Sequence, residues 1–233
     1  NRLLQNLVIK CAKSEGVRDY YYVGVVGYGT RVKSAFGGSL ADKDLVPISV
    51  IADSPVEIEE RNKKVDDGAG GLVEQKVRFP IWFQPVAYGG TPMSGALREA
   101  TRITKQWLSE HPDCFPPIII NITDGEATDG QPSPPAEELR NLSSSDGNVL
   151  LFNAHISSKG GATFEFPSSE VELPDRYAKQ LFSMSSVLPD YMRDAAEQEG
   201  YMVAEESRGF VFNADIVSVI RFLDIGTRPS NLR

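Results

Sequence analysis

Apolar residues recur at regular intervals in the first part of the chain. The apolar positions between Leu3 and Cys11 follow the i, i+3, i+4 spacing of an amphipathic helix, which we expect to end near Gly16. Residues 20–28 then form a continuous aromatic and β-branched run. Such a run predicts a strand that is covered on both faces in a parallel sheet. A helix followed by a buried strand is typical of an α/β fold.

The region 31–88 has a less regular pattern. It contains strand-like runs at 46–52 and 73–83, separated by the acidic turn Asp66-Asp67-Gly68. We interpret this region as an elaborated β-hairpin that is inserted into the fold.

The second half of the chain repeats the order of strand, loop and helix. Residues 91–108 have helical spacing, with Thr91 as the predicted N-cap and Pro92 as the predicted first helical residue. The other predicted elements are strands at 118–123 and 149–157, a short edge strand at 209–213, and helices at 135–142, at 175–199 with a break at Pro189, and at 216–223. This alternation predicts a single domain over 1–233 with a Rossmann-like, doubly wound α/β fold. Its sheet is expected to be mostly parallel with helices on both faces.

Composition narrows the partners that the chain is expected to bind. The 233 residues are 41% hydrophobic, and their formal net charge of −8 argues against nucleic acid or an anionic membrane surface as a partner. No apolar run approaches the roughly 18 residues needed to span a bilayer. The two cysteines provide neither a disulfide framework nor a CxxC zinc site, which favours a cytoplasmic location.

Two loops carry residues that suit a hard cation. The segment GGTPMSGAL places the hydroxyl of Thr91 at a helix start, and INITDGEATDG places the carboxylate of Asp124 at a strand end. In an open parallel sheet, ligands bind beyond the carboxyl ends of the strands. Hydroxyl and carboxylate oxygens are suitable ligands for Mg²⁺.

GGTPMSGAL, followed about thirty residues later by IIINITDGE, resembles two loops of the metal-ion-dependent adhesion site of the von Willebrand factor A family. The resemblance implies a Rossmann-like fold that binds Mg²⁺ or Mn²⁺ through a threonine, an aspartate and a DxSxS motif. A carboxylate from an Asp or Glu of the partner protein then completes the metal coordination. Thr91 and Asp124 are therefore the implied metal ligands, and Gly90, Gly125 and Glu126 are the candidate partner-binding residues.

The chain departs from this family pattern because it contains no DxSxS motif. The nearest match, Asp53-Ser54-Pro55, lies in the hairpin region. In the family this motif lies on a central strand, and the helix that directly follows that strand corresponds to the first helix of this chain. We therefore expect the natural protein to carry that strand upstream of Asn1.

The resemblance implies a metal-dependent protein-binding adaptor and not an enzyme. Intracellular bacterial members of the family commonly act beside ATPases, kinases or phosphatases, which are therefore the expected partner classes. Two alternatives stay open: a Mg²⁺-dependent phosphotransferase or phosphohydrolase that uses Asp124, and a metal-free scaffold. The enzyme alternative lacks a visible nucleophile-and-base pair and a GxxxxGK phosphate loop.

Further polar residues have simpler interpretations. His155 lies on an apolar strand and is predicted to be a core or strand-end histidine. Glu126 and Asp129 form either a solvated acidic loop or a surface that binds metal-bound water or steers a basic partner. The glycines at 24, 27 and 29 do not match the GxGxxG pattern of a dinucleotide-binding loop.

Overall fold

The computed structural model describes residues 1–66, 71–84, 88–124, 126–156, 162–213 and 221. The chain divides into two compact units, Asn1–Tyr88 and Gly89–Arg233. The single domain predicted over 1–233 stays a prediction.

The first unit combines two short helices with four antiparallel strand pairs in the part of the chain that is described. Its elements are α1 (Arg2–Cys11), β1 (Ala12–Lys13), β2 (Gly16–Val17), β3 (Tyr22–Val23), β4 (Val26–Tyr28), β5 (Val32–Ser34), a 3-10 turn (Gly38–Leu40), β6 (Val46–Pro47), α2 (Ile48–Ala52), β7 (Glu57–Asp66) and β8 (Leu72–Ile81). The pairs are β1 with β2, β3 with β6, β4 with β5, and β7 with β8.

A small apolar core holds the first unit together. Trp82 is fully buried, and its indole Nε1 donates a hydrogen bond of 2.5 Å to the carbonyl of Ile51. The side chain of Asn1 accepts from the amide of Trp82 at 2.9 Å and donates to the carbonyl of Phe83 at 2.9 Å. The buried members of this core are Leu4, Cys11, Phe36, Leu40, Val46, Ile48, Ile51 and Trp82.

The first helix is shorter than the sequence pattern predicts. It ends at Cys11, and the prediction of an end near Gly16 is wrong. Gly16 has a φ of 127°, which places it in a region that favours glycine, and the chain forms the β1–β2 hairpin there.

The predicted buried strand at 20–28 is also wrong. The run is split into β3 and β4, which form separate antiparallel pairs, and Tyr20 and Tyr22 are 40% and 47% exposed. Gly24 lies between the two strands, where an added Cβ would be only 2.3 Å from the carbonyl oxygen of Asp44. This close backbone approach accompanies the break between the two strands.

The hairpin region is predicted correctly in part. The prediction of a strand at 46–52 is wrong beyond β6, because the chain continues there as the short helix α2. Ile48 and Ile51 are buried on one side of that helix. Pro47 precedes that helix and has no N–H with which to continue a strand ladder. A hairpin is observed in this region, but its strands are β7 and β8, in antiparallel register from Glu57↔Ile81 to Asp66↔Leu72. β8 matches the strand predicted at 73–83, whereas β7 was not predicted. Residues 67 and 68 of the predicted turn lie outside the described residues.

The second unit is built around a mixed, mostly parallel sheet. Its elements are α3 (Met93–Glu110), β9 (Ile118–Thr123), α4 (Ser133–Arg140), β10 (Ser143–Ser144), β11 (Gly147–Asn148), β12 (Leu150–His155), β13 (Phe164–Glu165), α5 (Arg176–Met184), α6 (Asp190–Gln198) and β14 (Phe210–Phe212). The described sheet has the order β13-β14-β12-β9, in which β12 is parallel to both β9 and β14, and β13 is antiparallel to β14. The predicted α/β class with a mostly parallel sheet is therefore confirmed.

A buried polar network joins β12 to its neighbours. Asn121 of β9 donates to the side chain of Asn153 of β12 at 2.8 Å. Asn153 in turn donates to the hydroxyl of Ser185 at 2.9 Å and to the carbonyl of Leu181 at 3.2 Å. Asn153 is fully buried, so these bonds fix β9 and α5 against β12.

The predicted elements of the second unit are confirmed with small shifts, apart from the last two. The strand at 209–213 is observed as β14, but it lies between β12 and β13, so the prediction of an edge strand is wrong. The short antiparallel strand β13 covers the side of β14 that was expected to be free. The closing helix predicted at 216–223 lies outside the described residues, apart from residue 221.

Candidate functional site

The carboxyl ends of three parallel strands meet at one edge of the sheet in the second unit. Thr123, His155 and Phe212 lie side by side at the ends of β9, β12 and β14. Asp124 is the first residue after β9. In parallel sheets this edge is the usual place for ligands to bind.

The loop that carries Thr91 turns tightly before α3 begins. The amide of Met93 donates to the carbonyl of Thr91 at 2.7 Å, and Pro92 between them has φ −74° and ψ 64°. These are the angles of an inverse γ-turn. The helix therefore begins at Met93 with Pro92 in the N-cap position. The predictions of Thr91 as the N-cap and of Pro92 as the first helical residue are both wrong.

Thr128 joins the two candidate loops. Its hydroxyl accepts from the amide of Thr91 at 2.8 Å, and its own amide donates to the carbonyl of Thr91 at 2.9 Å. Thr128 lies four residues after Asp124 in the same loop. The structure thus brings the Thr91 and Asp124 loops together, as expected from the sequence.

Asp129 caps α3 from that same loop. Its Oδ1 accepts from the amide of Ser94 at 3.0 Å, and its Oδ2 accepts from the amide of Gly95 at 2.7 Å. Amides in the first turn of a helix have no partner within the helix, and the helix dipole favours a negative charge there. The carboxylate of Asp129 therefore satisfies the two amides that a local N-cap residue would otherwise satisfy.

The two implied metal ligands differ in exposure. The side chain of Asp124 is exposed, whereas Thr91 is half-buried. Among the described residues, no group of three or more His, Cys, Asp or Glu side chains comes together that could hold a metal ion. The hydroxyl of Thr91 and the carboxylate of Asp124 are oxygen donors of the kind that a hard cation prefers.

The three candidate partner-binding residues have different environments. Gly90 lies against Thr128, where an added Cβ would be 2.5 Å from the threonine Oγ1. Gly125 lies outside the described residues. Glu126 is exposed, accepts a hydrogen bond from the hydroxyl of Tyr177, and lies 3.5 Å from the guanidinium of Arg176. A surface cavity of about 260 Å³ adjoins it and is lined by Glu126, Ala127, Gly130, Gln131, Pro132, Arg176, Tyr177 and Gln180.

His155 is a buried histidine at the end of its strand, as predicted. It is 7% exposed and stacks on Phe212 with ring centroids 4.7 Å apart. Burial lowers the pKa of His155 from its ordinary value, while the carboxylates of Asp175 and Asp124 act in the opposite direction. The imidazole Nδ1 is buried without a hydrogen-bond partner among the described atoms.

Thr128 was not among the sequence candidates, and Asp129 had a different interpretation. The sequence indicated a solvated or steering acidic loop for Asp129, whereas the structure shows it capping a helix 35 residues earlier. Asp175, which like Thr128 had no predicted role, caps α5 by accepting from the amides of Tyr177 and Ala178. The DG turn that follows Thr128 was visible in the sequence, but a capping contact at such separation leaves no local pattern.

Comparisons of the chain with protein-family models, with curated proteins and with solved structures found no match. Among the described residues, no helix is both long enough and apolar enough to cross a membrane.

Proposed function

We propose that this chain is a metal-ion-dependent protein-binding module of the von Willebrand factor A type. In this proposal Thr91 and Asp124 supply two oxygens to Mg²⁺ or Mn²⁺. The remaining coordination positions take water and an Asp or Glu carboxylate of a partner protein.

One observation carries the proposal: Thr128 binds both the amide and the carbonyl of Thr91 from the loop that begins at Asp124. A threonine and an aspartate separated by 33 positions therefore lie on adjoining loops beyond the carboxyl end of a parallel strand. Loops at this edge provide binding sites in open α/β sheets.

The chemistry of the proposed site favours recognition over catalysis. A hard cation held by a few protein oxygens keeps exchangeable waters, and an incoming carboxylate can replace one of them. The two nearest additional carboxylates in the sequence belong to Glu126 and Asp129. Glu126 already contacts Tyr177 and Arg176, and Asp129 already contacts the start of α3. A carboxylate from a partner protein would then bridge the metal, and ATPases, kinases or phosphatases stay the proposed partner classes.

The test is Mn²⁺ binding by titration calorimetry on the full-length protein. We expect Asp124→Ala to abolish binding and Thr91→Val, which removes only the hydroxyl, to weaken it. Asp146→Ala is the matched control, because Asp146 is an exposed aspartate in the β10–β11 turn, at the opposite end of β12. Binding that is unchanged by Asp124→Ala would refute the proposed site.

The role of the partner carboxylate is tested with a polyglutamate peptide as the probe. We expect the peptide to bind the full-length protein in the presence of Mn²⁺ and to dissociate on addition of EDTA. Equal binding with and without the metal would contradict a metal bridge.

A further inference from the structure

We propose that Asp129 is the positioning residue of the metal site, because it fixes the start of α3 against the loop that begins at Asp124. This inference rests on the proposed function and adds a residue that coordinates no metal. Asp129 acts through the backbone that carries Thr91 and Asp124.

The geometry behind the inference is a two-point clamp. At one point Thr128 makes two hydrogen bonds with the backbone of Thr91, at 2.8 and 2.9 Å. At the other, the two oxygens of Asp129 accept from Ser94 and Gly95 at 3.0 and 2.7 Å. One contact alone would leave the loops free to pivot about it, whereas two contacts at adjacent residues fix both their separation and their relative orientation.

The clamp spans the residues that matter for the proposed site. On one side it holds positions 91, 94 and 95, and on the other it holds positions 128 and 129, four and five residues after Asp124. Asp129 is exposed to solvent, yet both of its carboxylate oxygens accept backbone amides. A carboxylate in this position gains from the dipole of the helix as well as from the two hydrogen bonds.

A purely electrostatic role for Asp129 makes a different prediction. If only its negative charge helped to attract a cation, then removing any exposed carboxylate of the same loop would weaken metal binding to a similar extent. Glu126 provides that comparison, because it lies in the same loop, is exposed, and contacts Tyr177 and Arg176 instead of α3. Asp129→Asn and Glu126→Gln each remove one negative charge with little change of size.

The experiment measures the Mn²⁺ dissociation constant of the wild-type protein and of these two variants. Removal of a residue that orients metal ligands typically weakens metal affinity by about 10- to 100-fold, and we expect an effect in that range for Asp129→Asn. For Glu126→Gln we expect roughly a two- to fivefold effect, because an exposed charge contributes little. Asp129→Glu keeps the charge but lengthens the side chain, so we expect it to restore only part of the affinity.

A second readout follows the clamp itself. Hydrogen exchange of the Ser94 and Gly95 amides should accelerate in Asp129→Asn, while the amides of Leu151 and Phe152 in the central strand keep their protection. This measurement also establishes that the variant is folded. If Asp129→Asn does not fold, the same readouts on Asp129→Glu decide, with weaker Mn²⁺ binding at unchanged charge expected.

The outcomes distinguish the two proposals. Equal weakening by Asp129→Asn and Glu126→Gln, or no weakening by Asp129→Asn, would overturn the positioning role and leave the metal site standing. Absence of Mn²⁺ binding in the full-length wild-type protein would overturn the proposed function and this inference with it.

Discussion

Replacement of Gly90 by alanine tests how tightly the two loops are packed. The added Cβ would lie 2.5 Å from Oγ1 of Thr128, 3.2 Å from its Cβ and 3.3 Å from its Cγ2. Carbon atoms normally approach side-chain atoms no closer than roughly 3.5 Å. The side chain of Thr128 must therefore rotate, or the loops must separate.

The expected cost follows from the bonds that this movement breaks. Rotation of Thr128 breaks its hydroxyl bond to the amide of Thr91, and separation of the loops also breaks the backbone bond between the two residues. At about 0.5–1.5 kcal/mol for each hydrogen bond, loss of one or both bonds should lower the free energy of unfolding of Gly90→Ala by about 0.5–3 kcal/mol.

A double-mutant cycle with Thr128→Ala isolates the clash. Thr128→Ala alone should cost about 1 kcal/mol, because it removes one hydrogen bond. In the double variant the colliding Oγ1 is absent, so its cost should fall below the sum of the single costs by about 1 kcal/mol or more. The assay is urea unfolding followed by circular dichroism, with equal m-values required for the comparison. Additivity within about 0.5 kcal/mol would refute the predicted contact.

Three further predictions concern the interior of the second unit. Asn153→Ala should destabilise the protein by about 2–4 kcal/mol in urea unfolding, because Asn121 loses its bond to the buried amide; a cost below about 1 kcal/mol would contradict the network. Ser94→Ala should be neutral or should stabilise the protein by about 0.5–1 kcal/mol in thermal unfolding. The reason is that the Ser94 hydroxyl is buried without a hydrogen-bond partner among the described atoms. A clear loss of stability would show that the hydroxyl has a partner. Burial lowers the pKa of His155, so its contribution to stability should be fully present above the ordinary pKa of about 6.5 and should be lost as the pH falls toward the folded-state pKa. The melting temperature of the wild type should fall between pH 7.5 and 5, two test values on either side of about 6.5, and that of His155→Gln should fall less. An equal fall in both proteins would contradict the lowered pKa of His155.

The sequence predicted the second unit well because its signals are local and strong. The apolar run at Ile118–Thr123 and the run that contains Leu150–His155 became adjacent parallel strands, and the helical spacing after Pro92 became α3. Most apolar positions of β12 and α3 are buried, so their pattern decides their structure, whereas the isoleucines of β9 are half-buried or exposed.

The first unit was predicted less well because a short apolar run can form more than one kind of secondary structure. The run at 20–28 is as apolar as a buried strand, yet it forms two short antiparallel pieces with exposed tyrosines. The run after Val46 changes from strand to helix within a few residues. Tertiary contacts, such as the approach of Gly24 to the Asp44 carbonyl, are not encoded in the spacing of apolar residues.

The approach of the two candidate loops was predicted, but the residues that connect them were not. The motifs indicated which two loops would meet, and the structure confirms that they do. The cap of α3 could not be predicted, because Thr91 and Pro92 form a good local N-cap pattern while the actual capping carboxylate belongs to Asp129. Local propensity therefore indicated the place of the helix start but not the residue that stabilises it.

In the proposed function, a divalent metal binds between the Thr91 and Asp124 loops. The most direct measurement is anomalous X-ray diffraction from crystals of the full-length protein grown with Mn²⁺, collected for the wild type and for Asp124→Ala. We predict an anomalous peak that contacts the Asp124 carboxylate or the Thr91 hydroxyl, directly or through one bound water, and that is lost in the variant. A peak that persists in Asp124→Ala, or the absence of any peak at these two loops, would refute the proposed metal site.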